Sequence, residues 1–173
     1  NEVWQRSAIE TEGDILAIMR KRLQHKDRNS TLDVEEEVHL FLPHLSSELD
    51  SQDCAFVAEL NKGGALYALD VRGLGESMPE DHLSMYRSYG MDYMMHSTAL
   101  MFGESMFGRR VFDIIRTLDL LKAEGAKSVH LYGRGQGALL AAFAAMLRDE
   151  VVDVPLYNAP TSFLQWIKAG VSD

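Results

Sequence analysis

"SVHLYGRGQGALLAAFAAML", Ser128 to Leu147, reads as a strand, a very tight turn and a helix. Gly133, Gly135 and Gly137 sit at the turn. Two sequence patterns place glycines there. In one, G-x-G-x-x-G/A, the backbone approaches a dinucleotide pyrophosphate at the helix N-terminus. Gly133, Gly135 and Ala138 satisfy it. That pattern also wants an acidic residue about 20 positions on, at the end of the next strand. The next apolar run ends at Tyr157 and Asn158, and Asp153 falls within it or at its start. In the other pattern, G-x-S-x-G, the strained middle residue presents a nucleophilic serine. Gly133 and Gly137 fit its outer places, and Gly135 stands where the hydroxyl belongs. Glycine tolerates that strained backbone without penalty and offers no nucleophile.

Outward from this stretch, apolar runs alternate with helical periodicity. Glu36 to Leu42, "EEVHLFL", predicts a strand that Pro43 stops. Ser51 to Leu60 predicts a short helix with Ser51 as its N-cap. Ala65 to Val71, "ALYALDV", predicts a buried strand. "RGLGESMPEDHLSMYRSYG" predicts a long loop, and a helical region follows from Asp92 to Ala123, broken near Gly103 or Gly108. Its stripe is Phe107, Val111, Ile114, Ile115, Leu118 and Leu121. Val152 to Tyr157 predicts another buried strand. Upstream, Asp14 to His25 predicts an amphipathic helix, with Ile15, Ile18, Met19 and Leu23 on one side, then the polar loop "KDRNSTLD". The expected division is an N-terminal helix and linker over residues 1–33 and one α/β domain over 34–173. The order predicts three αβα layers around a mainly parallel sheet. Such sheets bind ligands at the carboxyl ends of their strands. The loops there read "PHLSS", "RGLGES", "GRGQG" and "NAPTS".

Composition narrows the function classes. The chain has 173 residues, 46% hydrophobic and 25% charged, as expected of one soluble globular core. A net charge of -9 argues against a nucleic-acid partner. The longest apolar run, Ala138 to Leu147, is about half a membrane span, and the first residues lack the apolar stretch of a signal peptide. Compartment stays open. The single cysteine, Cys54, excludes an internal disulfide and reads as buried and inert. His39 and His130 read as structural strand residues, and His82 and His96 have no metal-ligand spacing, so neither a metal nor a cofactor is expected. Met91, Met94, Met95, Met101 and Met106 read as core packing, with the lining of a pocket as the alternative. Gly103 and Gly108 have Walker-A spacing without the following Lys and Ser/Thr, so a P-loop is rejected.

Four segments together resemble a family. "DVRGLGES", Asp70 to Ser77, is similar to the D-x-R-G-x-G-x-S turn of α/β-hydrolases, above all acetylxylan-esterase-like carboxylesterases. "LYGRGQGALLAAFAA" resembles their nucleophile elbow, "FLPHLSS" their oxyanion-hole loop, and "GRRVFDIIRTLDLLKAEG" the long helix before the elbow strand. The resemblance implies that Gly133, Arg134, Gly135, Gln136 and Gly137 form a vestigial elbow, and that His44 and Leu45 shape an oxyanion site. It implies that Asp70, Arg72, Gly73 and Ser77 hold a structural turn and do not react. In the family the triad's acid and histidine follow the serine, yet no histidine follows Gly135. The resemblance therefore implies a hydrolase domain truncated at its C-terminal end, or completed by the rest of a longer chain or by another subunit. The ligand it implies is a small ester or a carbohydrate ester. Three functions stay open: a pseudo-esterase or accessory module, an active ester hydrolase using other residues, and a dinucleotide-binding protein.

Overall fold

The computed structural model describes residues 3–23, 32–53, 60, 65–79, 89–160, 162, 164 and 168. The predicted helix over Asp14 to His25 is instead half of a hairpin. Strand β1 (Val3–Glu12) turns through Gly13 and Asp14, whose φ is 62°, into β2 (Ile15–Leu23). The helix-like spacing of Ile15, Ile18 and Met19 competes with a period of two, which buries Ala17 and Met19 on one side. What overrides helix propensity is pairing on both sides, because β2 runs antiparallel to β1 and to β4 (Ala65–Asp70). Arg20 and Lys21, which look like a solvent face, are buried. Arg20 pairs with Glu48 and Glu76, and Lys21 with Glu35. The hairpin thus belongs to the same sheet as the elements after residue 34.

The remaining strands are β3 (Glu37–Leu42), β5 (Ser128–Arg134), β6 (Val151–Asp153) and β7 (Leu156–Tyr157). The sheet order is β1-β2-β4-β3-β5-β6, with β7 also beside β5. Strands β3/β4, β3/β5, β5/β6 and β5/β7 pair in parallel. The strand expected over Val152 to Tyr157 is two short pieces on either side of Val154 and Pro155. It is an edge with Val152, Leu156 and Tyr157 exposed, not a buried strand.

Helix α1 (Ser47–Asp53) starts four residues before the expected N-cap, and Ser51 lies inside it. Cys54, His25 and His82 lie outside the described residues, as do the rest of the helix predicted to run toward Leu60 and most of the loop before Tyr89. The long helical region divides at Gly103 into α2 (Met91–Met101) and α3 (Met106–Ala123). Helix α4 (Gln136–Ala145) follows the elbow. Ser105 caps α3 by accepting from the Gly108 amide at 3.1 Å. Ile114, Leu118 and Leu121 of α3 and Leu140, Ala141 and Ala144 of α4 bury against Val38, Leu40, Leu42, Leu69, Val129 and Leu131. The opposite sheet face carries a smaller cluster, Phe41, Leu66 and Ala68, with Trp4, Leu60 and Tyr132 beside it. Among the described residues no helix is long and apolar enough to cross a membrane.

Candidate functional site: an elbow filled by its neighbour

The carboxyl ends of β3, β4 and β5 bring the three glycine- and histidine-bearing loops to one edge of the sheet. Gly135 is the apex between β5 and α4, with φ 57° and ψ -119°, a conformation that side chains resist. Its flanking glycines answer a different constraint, close approach. A Cβ on Gly133 would meet the backbone of Ala138, and one on Gly137 would meet the carbonyl oxygens of Leu42 and Pro43. Helix α4 is therefore pressed directly onto the ends of β5 and β3.

His44 decides what the apex can do. A Cβ on Gly135 would lie 2.5 Å from His44 Nδ1 and 2.8 Å from its Cγ. The imidazole occupies the space into which an elbow side chain would project. It also takes the amide of the residue after the apex: Gln136 N–H donates to His44 Nδ1 at 3.2 Å. The Gln136 side chain closes the contact, its Nε2 donating to the His44 carbonyl at 2.8 Å. Its Oε1 accepts from Arg110 Nη1 at 2.9 Å. In a G-x-S-x-G elbow the amide after the nucleophile contributes to an oxyanion hole. Here that donor is bonded to a side chain of the same protein. A dinucleotide phosphate at the N-terminus of α4 would need the same amide.

The loop carrying His44 is fixed from below. The His44 amide donates to Asp50 Oδ2, and Arg134 Nη1 donates to Asp50 Oδ1 at 2.7 Å. One buried carboxylate on α1 thus joins the His44 loop to the elbow. Leu45 is exposed, and its carbonyl accepts from the Gly75 amide at 2.9 Å, tying the loop to the next turn. A cleft of about 470 Å³ opens beside these groups, lined by His44, Gly135, Gln136, Leu139, Asn158, Ala159 and Pro160.

The turn after β4 is built from charge. Asp70, fully buried, accepts from Ser47 N at 2.7 Å, Ser47 Oγ at 2.8 Å and Glu76 N at 3.1 Å. Burial raises its carboxyl above the ordinary value, against the opposing pull of these hydrogen bonds and of Arg20. Ser77 Oγ donates to the Asp70 carbonyl and accepts from Ile18 N. Arg72 reaches the buried Asp113 of α3 with Nε at 2.9 Å and Nη2 at 2.6 Å. Burial opposes its charge, but the bonds and charge of Asp113, then Glu12, raise the guanidinium above its ordinary value. Gly73, at φ 71°, gives its carbonyl to Arg110 Nη2.

Arg110 is the residue that the sequence reading passed over. Its side chain is 1% exposed, and it reaches Arg72 O, Gly73 O, Asp92 and Gln136. It joins the turn after β4, helix α2 and the elbow. The methionines, expected to pack in the core with pocket lining as the alternative, divide between the two. Met106 is buried, but Met101 is exposed, and Met94, Met95 and Met106 line a separate cleft of about 560 Å³ with Thr98, Ala99, Phe102 and Glu104.

No protein-family model and no curated protein matches the sequence. Solved structures do. An esterase of Pyrococcus furiosus superposes with a TM-score of 0.63 at 16% identity, covering 97% of this chain and 53% of that one. An epoxide hydrolase of Vigna radiata gives 0.51 at 19% identity, covering 90% and 39%. An epoxide hydrolase of Mycobacterium thermoresistibile gives 0.51 at 21% identity, covering 89% and 39%. This chain has the α/β-hydrolase fold. At these identities the likeness concerns the fold. The chain spans about half the length of the esterase and less of the epoxide hydrolases. Within that fold, Gly135 is the apex of the strand–turn–helix from β5 to α4, and the His44 loop follows β3.

Proposed function

We propose that this chain is a hydrolase-fold module of the carboxylesterase kind, acetylxylan-esterase-like in its motifs, whose elbow binds and does not attack. The observation that carries the proposal is the apex. Gly135 has no nucleophilic group, and the imidazole of His44 stands where one would project. Every other part of the elbow has a scaffolding partner. Gln136 bridges Arg110 and His44, and Arg134 is held by Asp50.

The ligand that this cleft suits is a small ester or carbohydrate ester, presented to His44, Gln136 and Asn158. An ester carbonyl takes the Gln136 amide only by displacing His44 Nδ1 from it. Binding is therefore weak in the protein as it stands, and His44→Ala tightens it. The chemistry is tested by treating the protein with a serine-directed fluorophosphonate and measuring its intact mass. The expected result is an unmodified mass. A stoichiometric adduct, mapped to any serine, ends the proposal.

A further inference from the structure

On the sheet face away from α3 and α4, three adjacent strands carry a row of polar rings and carboxylates. The period of two along β3 puts Glu37 and His39 on the same face. The parallel register then sets His130 of β5 opposite His39, and Asp153 of β6 opposite His130. The two imidazoles stack, with centroids 4.7 Å apart and planes 11° from parallel. One nitrogen of each ring is held by a further group. His39 Nδ1 lies 2.9 Å from Tyr132 Oη, and His130 Nδ1 lies 2.7 Å from Asp153 Oδ1. The other nitrogens turn toward a single carboxylate oxygen. Glu37 Oε1 is 2.9 Å from His130 Nε2 and 3.8 Å from His39 Nε2.

The geometry points to a divalent transition-metal site formed by Glu37, His39 and His130. When Nδ1 of His130 donates to Asp153, a neutral ring presents its Nε2 lone pair to the Glu37 carboxylate. Two acceptors at 2.9 Å need a cation between them. A proton is one such cation, and a metal ion is the other. The two separations to Glu37 bracket the spacing of roughly 3.3 Å between neighbouring ligand atoms in a tetrahedral zinc site. All three ligand atoms lie within 4.8 Å of one another. The Asp153–His130 contact has the form of the carboxylate–histidine–metal arrangement that orients a ligating ring; the stacked rings direct their Nε2 lone pairs side by side, so His39 must turn out of the stack to share an ion with His130. Two imidazoles and one carboxylate suit Zn²⁺ or Co²⁺ and leave a coordination position open. Glu37 is exposed, so an ion reaches the site from solvent.

The test uses untagged protein, stripped with chelator and then given Zn²⁺ or Co²⁺ alone. One equivalent of metal is expected by elemental analysis after dialysis, and bound Co²⁺ is expected to give the visible bands of a low-coordinate site. His39→Ala and His130→Ala should each abolish stoichiometric uptake. Asp153→Asn keeps all three ligands and should weaken affinity about 10–100-fold. Glu37→Gln, at an exposed position, should lose uptake while circular dichroism shows the fold intact. The inference is overturned if the unmodified protein binds no metal after dialysis, which means that a proton bridges His130 and Glu37. It is equally overturned if the histidine variants retain the uptake of the parent, which places the metal elsewhere.

Discussion

Two turns meet at the same edge of the sheet, one after β4 and one after β5, and they are held by opposite means. The turn from Asp70 to Ser77 hangs on charged groups: a buried carboxylate with three donors at Asp70, and the Arg72–Asp113 pair. The elbow from Gly133 to Gly137 depends on close approach of backbone to backbone, with an imidazole packed against its apex. The first turn fails when an atom is taken away, because a buried charge loses its partner. The second fails when an atom is added: at Gly133 and Gly137 nothing can move aside without moving a strand or helix end, and at Gly135 the positive φ and the His44 ring oppose a side chain. Both turns hold a demanding geometry at this edge.

The largest expected effect breaks the charge-held turn. Asp113→Ala takes from Arg72 the carboxylate that it grips with Nε and Nη2, leaving only Glu12 on Nη1, and takes from Thr11 its 2.6 Å acceptor. A loss of about 3–5 kcal/mol in urea unfolding is expected. A loss below about 1 kcal/mol would show that the turn does not depend on the pair.

The next effect probes the elbow. Gly135→Ser places a side chain at φ 57° and against His44. A cost of about 1–3 kcal/mol is expected from the backbone alone, with the clash added to it. In the Gly135→Ser/His44→Ala double variant the clash is relieved and the backbone cost remains. The two changes are therefore non-additive, and a double-mutant cycle by urea unfolding measures the difference. Strict additivity would show that the ring does not fill the apex.

A smaller effect lies beside the hairpin, where Lys21 meets Glu35, away from both turns. Burial favours the neutral form of Glu35, but hydrogen bonds from Lys21 and Tyr67 outweigh it and hold the carboxyl below its ordinary value. A depressed folded value makes its contribution full above the unfolded carboxyl range and lost as pH falls through the folded value. Glu35 is 44% exposed, so solvent screening keeps the effect well under ~1 kcal/mol. Glu35→Gln should flatten the acid limb of the stability–pH profile by that amount, measured by thermal unfolding at several pH values.

How much of this was legible in the sequence follows from where the information resides. Strands β3, β4 and β5 show as apolar runs, and α3 shows as a stripe, because their burial is written locally. The hairpin does not, because Arg20 and Lys21 are neutralised by Glu48, Glu76 and Glu35, partners distant in sequence. The elbow glycines were legible, since a short turn between strand and helix demands them. The contact that fills the elbow was not: His44 and Gln136 are 92 positions apart, and only the pairing of β3 with β5 brings them together. Arg110 looks like one more charge on a helix, and its burial depends on α2, the turn after β4 and the elbow together. His39 and His130 read as isolated strand residues for the same reason. Their pairing is a matter of register, which one strand alone does not disclose.

The central claim is that the elbow carries no working nucleophile, and hydrolysis of p-nitrophenyl acetate tests it most directly. Without a triad nucleophile, an oxyanion hole and binding alone leave about 10³–10⁴-fold over water in such enzymes, and here the oxyanion amide is bonded to His44. The protein is expected to show no turnover above a buffer control. Gly135→Ser is expected to show none either, because the His44 ring fills the space of the new side chain and its Nδ1 already accepts the Gln136 amide, so it is not set to take the serine proton. Robust turnover by the unmodified protein, persisting through repurification and blocked by a serine-directed phosphonate, would contradict the account. Ser77, on the neighbouring turn, would then be the first residue to replace.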